Sequence, residues 1–362
     1  MHVMNITPNQ LMTGMIIADD VYSSTREKIV AKNTILNPKT ISKLKLFTNQ
    51  EIPVLIPQAL AERMAAENPE LLHANKIKES LDFKKFNKQY QKTIDTIHSV
   101  LDSLMDSPEK TLEQEQMLSY IKDLLVESGN SMHTFDMLHC MRDNTDLTYV
   151  HSVNVALICN SIAAWLNYSP EDTKLLTLAG LLHDIGKKHI PSLILNKSGE
   201  LSDEEYALVK KHPIYGYQMV TEFPIDNRIK DAILSHHERY DGSGYPRGLS
   251  GDQISDFAKI VAIADVYDAM TSKRIYRESV CPFDVVATLE SDGYSKYDPQ
   301  FLLTFLKHIV QSYINAPVLL SNSLIGSVVM INPDHLSKPI VKVGERFYDL
   351  SKEKDLSIRS LL

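Results

Sequence analysis

A mainly α protein is what this sequence predicts. An all-helical central domain follows a small β-rich domain and a helical connector, and precedes a short β appendage. Three observations carry that prediction. Apolar residues recur at roughly helical spacing from Ile77 to Leu104 and again within Thr148–Leu166, the period of a helix face. Short β-like runs broken by turn residues are confined to the two ends. Histidines and aspartates gather at the ends or inner faces of separate apolar segments between them. The boundaries fall at residues 1–58, 59–130, 131–315 and 316–362 of the 362 residues, a length that allows two or three domains and a substantial core.

Composition narrows the function class. Apolar residues make up 43% of the chain and charged residues 23%, as in an ordinary globular protein, and the formal net charge is −8. That sign argues against binding polymeric nucleic acid or an acidic membrane, so an anionic ligand needs a local basic pocket. Cys140, Cys159 and Cys281 form no CxxC pair and read as reduced thiols. The opening MHVMNITPNQ has no apolar run of signal-peptide length, and no stretch approaches the roughly 20 apolar residues of a membrane span. A cytoplasmic location is expected.

In residues 1–58, Met15–Ile17, Ile29–Ala31 and Ile52–Ile56 read as strands, and Asn37-Pro38 as the start of a helix reaching Leu46. This part carries no catalytic constellation and reads as a regulatory or docking domain, or a structural cap. Residues 59–130 carry an apolar stripe of Ile77, Leu81, Tyr90, Ile94, Ile97, Leu101 and Leu104. The stripe either packs on its own domain or pairs two subunits as a homodimer. In the central domain, helices are expected over Thr148–Leu166, which carries His151, and over Thr173–Leu182, which runs into His183-Asp184-Ile185-Gly186-Lys187. Ser202-Asp203-Glu204-Glu205 is a capping-box signature for a helix expected to carry His212. Ile229–His237 and Phe257–Met270 complete the set, the latter with Asp265 and Asp268. Near the C-terminus, Ile325–Met330 and Pro339–Val343 read as strands joined across Asn332-Pro333-Asp334.

Seven residues stand out: His151, His183, Asp184, His212, His236, His237 and Asp265. One histidine on an apolar helix is usually a satisfied core residue. Five, with two acids, are harder to satisfy, because a buried imidazole or carboxylate without a partner costs several kcal/mol. A shared cation offsets that cost, and imidazole with carboxylate and no thiolate suits iron, manganese, nickel or zinc. Successive helix residues diverge by roughly 100°. The adjacent His236 and His237 can therefore serve one centre where a helix ends, and Asp241-Gly242-Ser243-Gly244 supplies such an ending.

HDIGK at 183–187 and HHERYDGSGYP at 236–246 together resemble the HD-GYP subgroup of HD-domain metal-dependent phosphohydrolases. The resemblance continues through YVHSVNVA, ILNKSGELSDEE, KKHPIYG and IVAIADVYDAMTSKRIYR, over residues 145–310. It implies an all-helical HD-GYP domain, a bridged metal centre and hydrolysis of cyclic di-GMP to linear pGpG, with GMP as a further product. Carried over, His151, His183, Asp184 and Asp265 hold one metal, and Asp184 bridges to a second held by His212, His236 and His237. Some members hold a third metal through a glutamate where this chain has Leu147, so two divalent ions are expected, iron or manganese ahead of nickel or zinc.

By the same resemblance Lys187 reaches the scissile phosphate, and Arg274 and Arg277 contact substrate phosphate. Asp265 and Arg274 are nine residues apart, so both face one pocket only if the chain bends near Thr271-Ser272. Tyr245 is a candidate to stack on a guanine or bond a phosphate. Catalysis is assigned to Asp184 and Lys187, through attack by a metal-bridging hydroxide. Cyclic GMP–AMP is a second candidate substrate. The alternative is a scaffold that binds cyclic dinucleotide and docks a signalling protein through the GYP loop or N-terminal domain, without much turnover.

Overall fold

The computed structural model describes residues 2–6, 8, 11–23, 28–48, 52–56, 80–106, 114–128, 134–135, 137–138, 141, 147–197, 199–272 and 280–361. The chain divides into two compact units, residues 1–77 with 362, and 78–361.

In the first unit, β1 (His2–Ile6) and β2 (Ile16–Ile17) flank β5 (Ile52–Ile56) in an antiparallel sheet, and β3 (Val21–Tyr22) pairs with β4 (Lys28–Val30). Helix α1 (Pro38–Phe47) starts where Asn37 predicts it. The Asn37 side chain accepts the Thr40 N–H, and Pro38 gives up a donor that the first turn has no use for. Met15, Ile17, Leu36, Leu44, Ile52 and Val54 form the centre of its core.

The second unit is mainly helical. Its first helices are α2 (Leu81–Asp106) and α3 (Gln114–Ser128). On α2 the buried apolar residues described are Phe83, Phe86, Tyr90, Ile94, Ile97 and Leu101, an unbroken three-four stripe. Leu81, expected in that stripe, is exposed instead, because it opens the helix ahead of the turn that packs. Ile77 and the Leu104 side chain lie outside the described residues.

The site is built by α4 (Leu147–Trp165), α5 (Pro170–Leu182), α6 (Asp203–Val209), α7 (His212–Thr221), α8 (Asn227–Ser235) and α9 (Asp256–Thr271). Helix α9 is buried on nearly every face, with α4, α5 and α8 packed around it. The starts are capped as the sequence implies: Ser169 with Pro170 before α5, Ser202 with Glu205 before α6, Asp226 before α8 and Ser255 before α9. One expectation fails here. The capping-box helix does not carry His212; α6 stops at Val209, and His212 opens the separate helix α7. Pro213 explains the break, since it has no N–H to give the Val209 carbonyl four residues back and fits the first turn of a new helix. Beyond α9 lie α10 (Pro282–Thr288) and α11 (Pro299–Ser312).

A five-stranded antiparallel sheet closes the unit, from β6 (Pro317–Leu320), β7 (Ile325–Asn332), β8 (His335–Val343), β9 (Arg346–Asp349) and β10 (Ile358–Leu361), in the order β10-β6-β7-β8-β9. The Glu290 carboxylate accepts the backbone N–H groups of Leu336 and Ser337, at 2.7 and 2.9 Å, tying this sheet to the helices.

Close backbone approach sets the distance between α7 and the 3₁₀ turn Ile185–His189. A Cβ on Gly186 would overlap the His212 carbonyl oxygen and the Gly216 backbone. Gly186→Ala is therefore expected to destabilise the protein by about 1–3 kcal/mol, the range for overpacking a tight contact. Chemical denaturation checks it; an unchanged midpoint would show that the two backbones can part freely.

Candidate metal centre

All seven sequence-predicted ligands converge. Ligand atoms of Asp184, His212, His236 and His237 form one group, and those of His151, His183 and Asp265 another, each within 4.8 Å. Asp184 faces both groups with different oxygens. Its Oδ2 lies 3.6 Å from His151 Nε2 and 3.3 Å from His183 Nε2. Its Oδ1 lies 3.2 Å from His212 Nε2 and 3.9 Å from His236 Nε2.

Helix ends place three of the rings. His183 follows α5, His236 follows α8, and His212 begins one turn after the close of α6. Carbonyls in a last helical turn lack intrahelical partners, and each ring uses one three residues back. His183 Nδ1 donates to Gly180 O at 2.7 Å, His212 Nδ1 to Val209 O at 2.7 Å, and His236 Nδ1 to Ile233 O at 2.9 Å. A carbonyl can only accept, so Nδ1 carries the proton in all three and the neutral ring presents a bare Nε2 lone pair. Those lone pairs converge without donors. His212 and His236 Nε2 stand 3.2 Å apart, and His183 Nε2 and Asp184 Oδ1 are buried without a hydrogen-bond partner. A cation is what such a set of acceptors fits.

His151 lies inside α4, where nearby carbonyls are engaged in the helix, and a side chain orients it instead. Its Nδ1 is 2.7 Å from Asp268 Oδ2 and its Nε2 is 3.0 Å from Asp265 Oδ1. Asp268 Oδ1 in turn accepts from Asn154 Nδ2 at 2.9 Å, and Asn154 Oδ1 from the Tyr90 hydroxyl at 2.5 Å. A hydrogen-bonded line thus runs from helix α2 to the centre.

Electrostatics follow from this packing. Burial opposes a charged His151, but hydrogen bonds from Asp265 and Asp268 and their charges outweigh it and raise its pKa to about 9. Burial also works against ionised Asp184 and Asp265. Lys187 and His183 nonetheless hold Asp184 well below the usual carboxylate range, and His151 and His237 do the same for Asp265. Burial and the neighbouring rings push His236 well down, and burial drives His237 to about 3.

Lys187 turns back onto the centre, its Nζ 2.5 Å from Asp184 Oδ2. Tyr245 stacks on His237, with ring centroids 4.7 Å apart and planes 28° apart, so one of its faces is already covered. Helix α9 ends at Thr271 and Ser272 is extended, so the chain turns where a shared pocket for Asp265 and Arg274 would require it. Arg274 and Arg277 lie outside the described residues, as does the Leu147 side chain.

Sequence reasoning missed the supports. Asp268 is three residues beyond Asp265 on one face of α9, and Asn154 three beyond His151, a spacing that offered a weak signal. Glu238, inside the histidine motif, was passed over. It is 2% exposed and accepts the backbone N–H groups of Arg247 and Leu249 at 2.7 and 2.9 Å, folding the loop that holds Tyr245.

A family model described as "HD domain" matches residues 108–301, more than half of the chain. This chain belongs to the HD-domain family. Within it, HHERYDGSGYP marks the HD-GYP type. The HD-domain chain is 37% identical over 231 residues to a cyclic di-GMP phosphodiesterase of Pseudomonas aeruginosa, covering 62% of this chain and 55% of that one. It is 36% identical over 181 residues to a 3′3′-cGAMP-specific phosphodiesterase of Vibrio cholerae, covering 49% of this chain and 41% of that one. It thus spans about half the length of the curated relatives it matches. Among solved structures, a Bdellovibrio bacteriovorus protein described as an HDG"Y"P protein is similar with a TM-score of 0.47 and 20% identity, over 84% of this chain and 98% of that one. HD domains are metal-dependent, and this one has a buried histidine–aspartate cluster able to hold metal. Among the described residues, no helix is long and apolar enough to cross a membrane.

The link between Asp268 and His151 has a measurable consequence in the metal-free protein. A raised His pKa stabilises the fold fully below the ordinary value of 6.5, and that contribution is lost as pH rises through about 9. Asp268→Asn removes the charge but keeps an acceptor, and should lower the His151 pKa by about 1–3 pH units. Imidazole NMR titration reads it directly; a value still near 9 would take Asp268 out of the account.

Proposed function

We propose that this protein is a metal-dependent phosphodiesterase that opens cyclic di-GMP to linear pGpG, with cyclic GMP–AMP as a second substrate and GMP as a further product. The observation that carries the reading is the Asp184 carboxylate, whose two oxygens face two separate clusters of imidazole lone pairs while Lys187 rests on its outer edge. The substrate class is supported by the relatives in Pseudomonas aeruginosa and Vibrio cholerae, whose names give cyclic di-GMP and 3′3′-cGAMP.

Two divalent ions, iron or manganese ahead of nickel or zinc, would be held by His151, His183, Asp184 and Asp265 on one side and by Asp184, His212, His236 and His237 on the other. When bound they supply the Lewis acidity that lets water attack a phosphodiester at neutral pH. The chain does the rest. Asp268 and the helix-end carbonyls fix four of the five rings, those of His151, His183, His212 and His236, so that each lone pair points inward. A cation would draw the Asp184 charge away from Lys187, freeing the ammonium to meet charge that develops on the leaving oxygen and to protonate it. Arg274 and Arg277 remain candidates for gripping phosphate, since guanidinium suits that geometry. Tyr245, already seated on His237, is better placed to wall the pocket than to sandwich a guanine. A partner protein at the GYP loop or the N-terminal domain is a further proposal.

Steady-state hydrolysis of cyclic di-GMP by purified, metal-loaded protein tests the reading, with product chromatography and metal analysis alongside. Lys187→Ala should cut kcat by roughly 10²–10⁴-fold, the range for a positioned acid, with metal content unchanged. Asp184→Ala should lose metal and all turnover together. Full metal loading without hydrolysis of either cyclic dinucleotide would leave the scaffold reading in its place.

A further inference from the structure

Beside Asp184 a cavity of about 120 Å³ opens, and Lys188, which no motif singled out, lines it together with Lys187. Tyr149 and Ser152 of α4 and Leu101 of α2 complete its polar and apolar walls. The space holds several waters, and so a phosphate-sized group. Consecutive residues of a 3₁₀ turn diverge by about 120°, so the two lysines approach this cavity from different sides.

Their ammonium groups are engaged differently. Lys187 rests on Asp184, inside the metal centre. Lys188 reaches away from it and pairs with Asp102 of α2. Its ammonium also lies 5.2 Å from the centre of the Tyr149 ring. Asp102 is well supplied without it, accepting the Tyr149 hydroxyl at 2.9 Å and lying 2.9 Å from His98 Nε2. Lys188 is the more buried partner, its side chain 16% exposed against 49% for Asp102. A cation that far from water needs an anion, while the anion it uses could turn to solvent.

We propose that Lys188 is a second phosphate-binding lysine of this site, held by Asp102 of helix α2 while no nucleotide is present. Nucleotide and α2 then compete for one ammonium, and whatever draws α2 aside strengthens binding. The inference rests on the phosphodiesterase reading above, which supplies the phosphate.

Three full-length, metal-loaded variants test it: Lys188→Ala, Asp102→Asn and the double substitution. KM and kcat for cyclic di-GMP are measured, with the Kd for linear pGpG by calorimetry. Lys188→Ala should raise KM and Kd by roughly 10–100-fold, the loss for a hydrogen bond to a charged group, with kcat within about two-fold. Asp102→Asn should lower both several-fold, because the competitor is gone while Tyr149 and His98 still hold the asparagine. The double variant should match Lys188→Ala, since an absent lysine cannot be released. If wild-type enzyme turns over and both single variants leave KM and Kd unchanged, or shift them the same way, Lys188 only staples α2 and the proposal is overturned. If wild-type protein neither hydrolyses cyclic di-GMP nor binds pGpG, the phosphodiesterase reading itself fails, and this one with it.

Discussion

The buried carboxylate of Asp184 is the constraint on which the helical unit depends. Ionised groups leave water only when others replace its hydrogen bonds, and here Lys187 and four imidazoles surround the two oxygens. Three of these rings, His183, His212 and His236, have spent their single neutral-ring proton on a backbone carbonyl, so there acceptor meets acceptor across the centre. The protein has therefore assembled a negative, proton-poor concavity inside an apolar helical core. Several kcal/mol of unmet polar burial is tolerable in a fold that gains it back from a bound cation.

That economy explains why three of the candidate ligand histidines sit at helix ends. A histidine in mid-helix finds nearby carbonyls engaged in the i−4 ladder, whereas one just past a terminus finds a free carbonyl three residues back. His183, His212 and His236 all take that solution. His151 cannot, and a second layer of Asp268, Asn154 and Tyr90 replaces the missing carbonyl. The cost is dependence on distant packing, because Tyr90 belongs to α2. Glu238 solves the same problem for the loop after His237, satisfying two backbone donors that a tight turn would otherwise strand.

What the sequence made legible follows the same physics. Helix starts announce themselves through caps, an apolar period marks the buried face of α2, and α5 and α9 read as apolar runs of helical length, so the helical architecture could be read. The seven converging residues were also readable, since each stands where an apolar helix begins, ends or turns inward. The break before His212 was not read, although Pro213 signals it. At the ends of the chain, strands of two to four residues such as β3, β6, β9 and β10 carry too few side chains to show an alternation. The second layer was hidden for a different reason. Tyr90 and Asn154 are 64 residues apart, and His151 and Asp268 117, and neither periodicity nor local spacing records a contact between separate helices.

Helix α2 is where these threads meet. It buries an apolar stripe, yet two of its polar side chains reach toward the centre by separate routes. Tyr90 enters through the buried line to His151, and Asp102 through the half-exposed pairing with Lys188 beside the Asp184 cavity. The two contacts lie on opposite sides of the buried-to-exposed boundary, so they respond differently to displacement. The Tyr90 line is buried and directional, so a small shift of α2 would break a hydrogen bond away from water. The Asp102 pairing faces water, which can solvate the carboxylate if α2 withdraws. A single helix can thus hold the imidazole geometry through its buried contact while trading its exposed one against an anion, provided it moves by rotation or fraying near Asp102 rather than by sliding as a whole. Asp102 stands in the last turns of α2 and Tyr90 three helical turns earlier, which is the arrangement that such a local release requires.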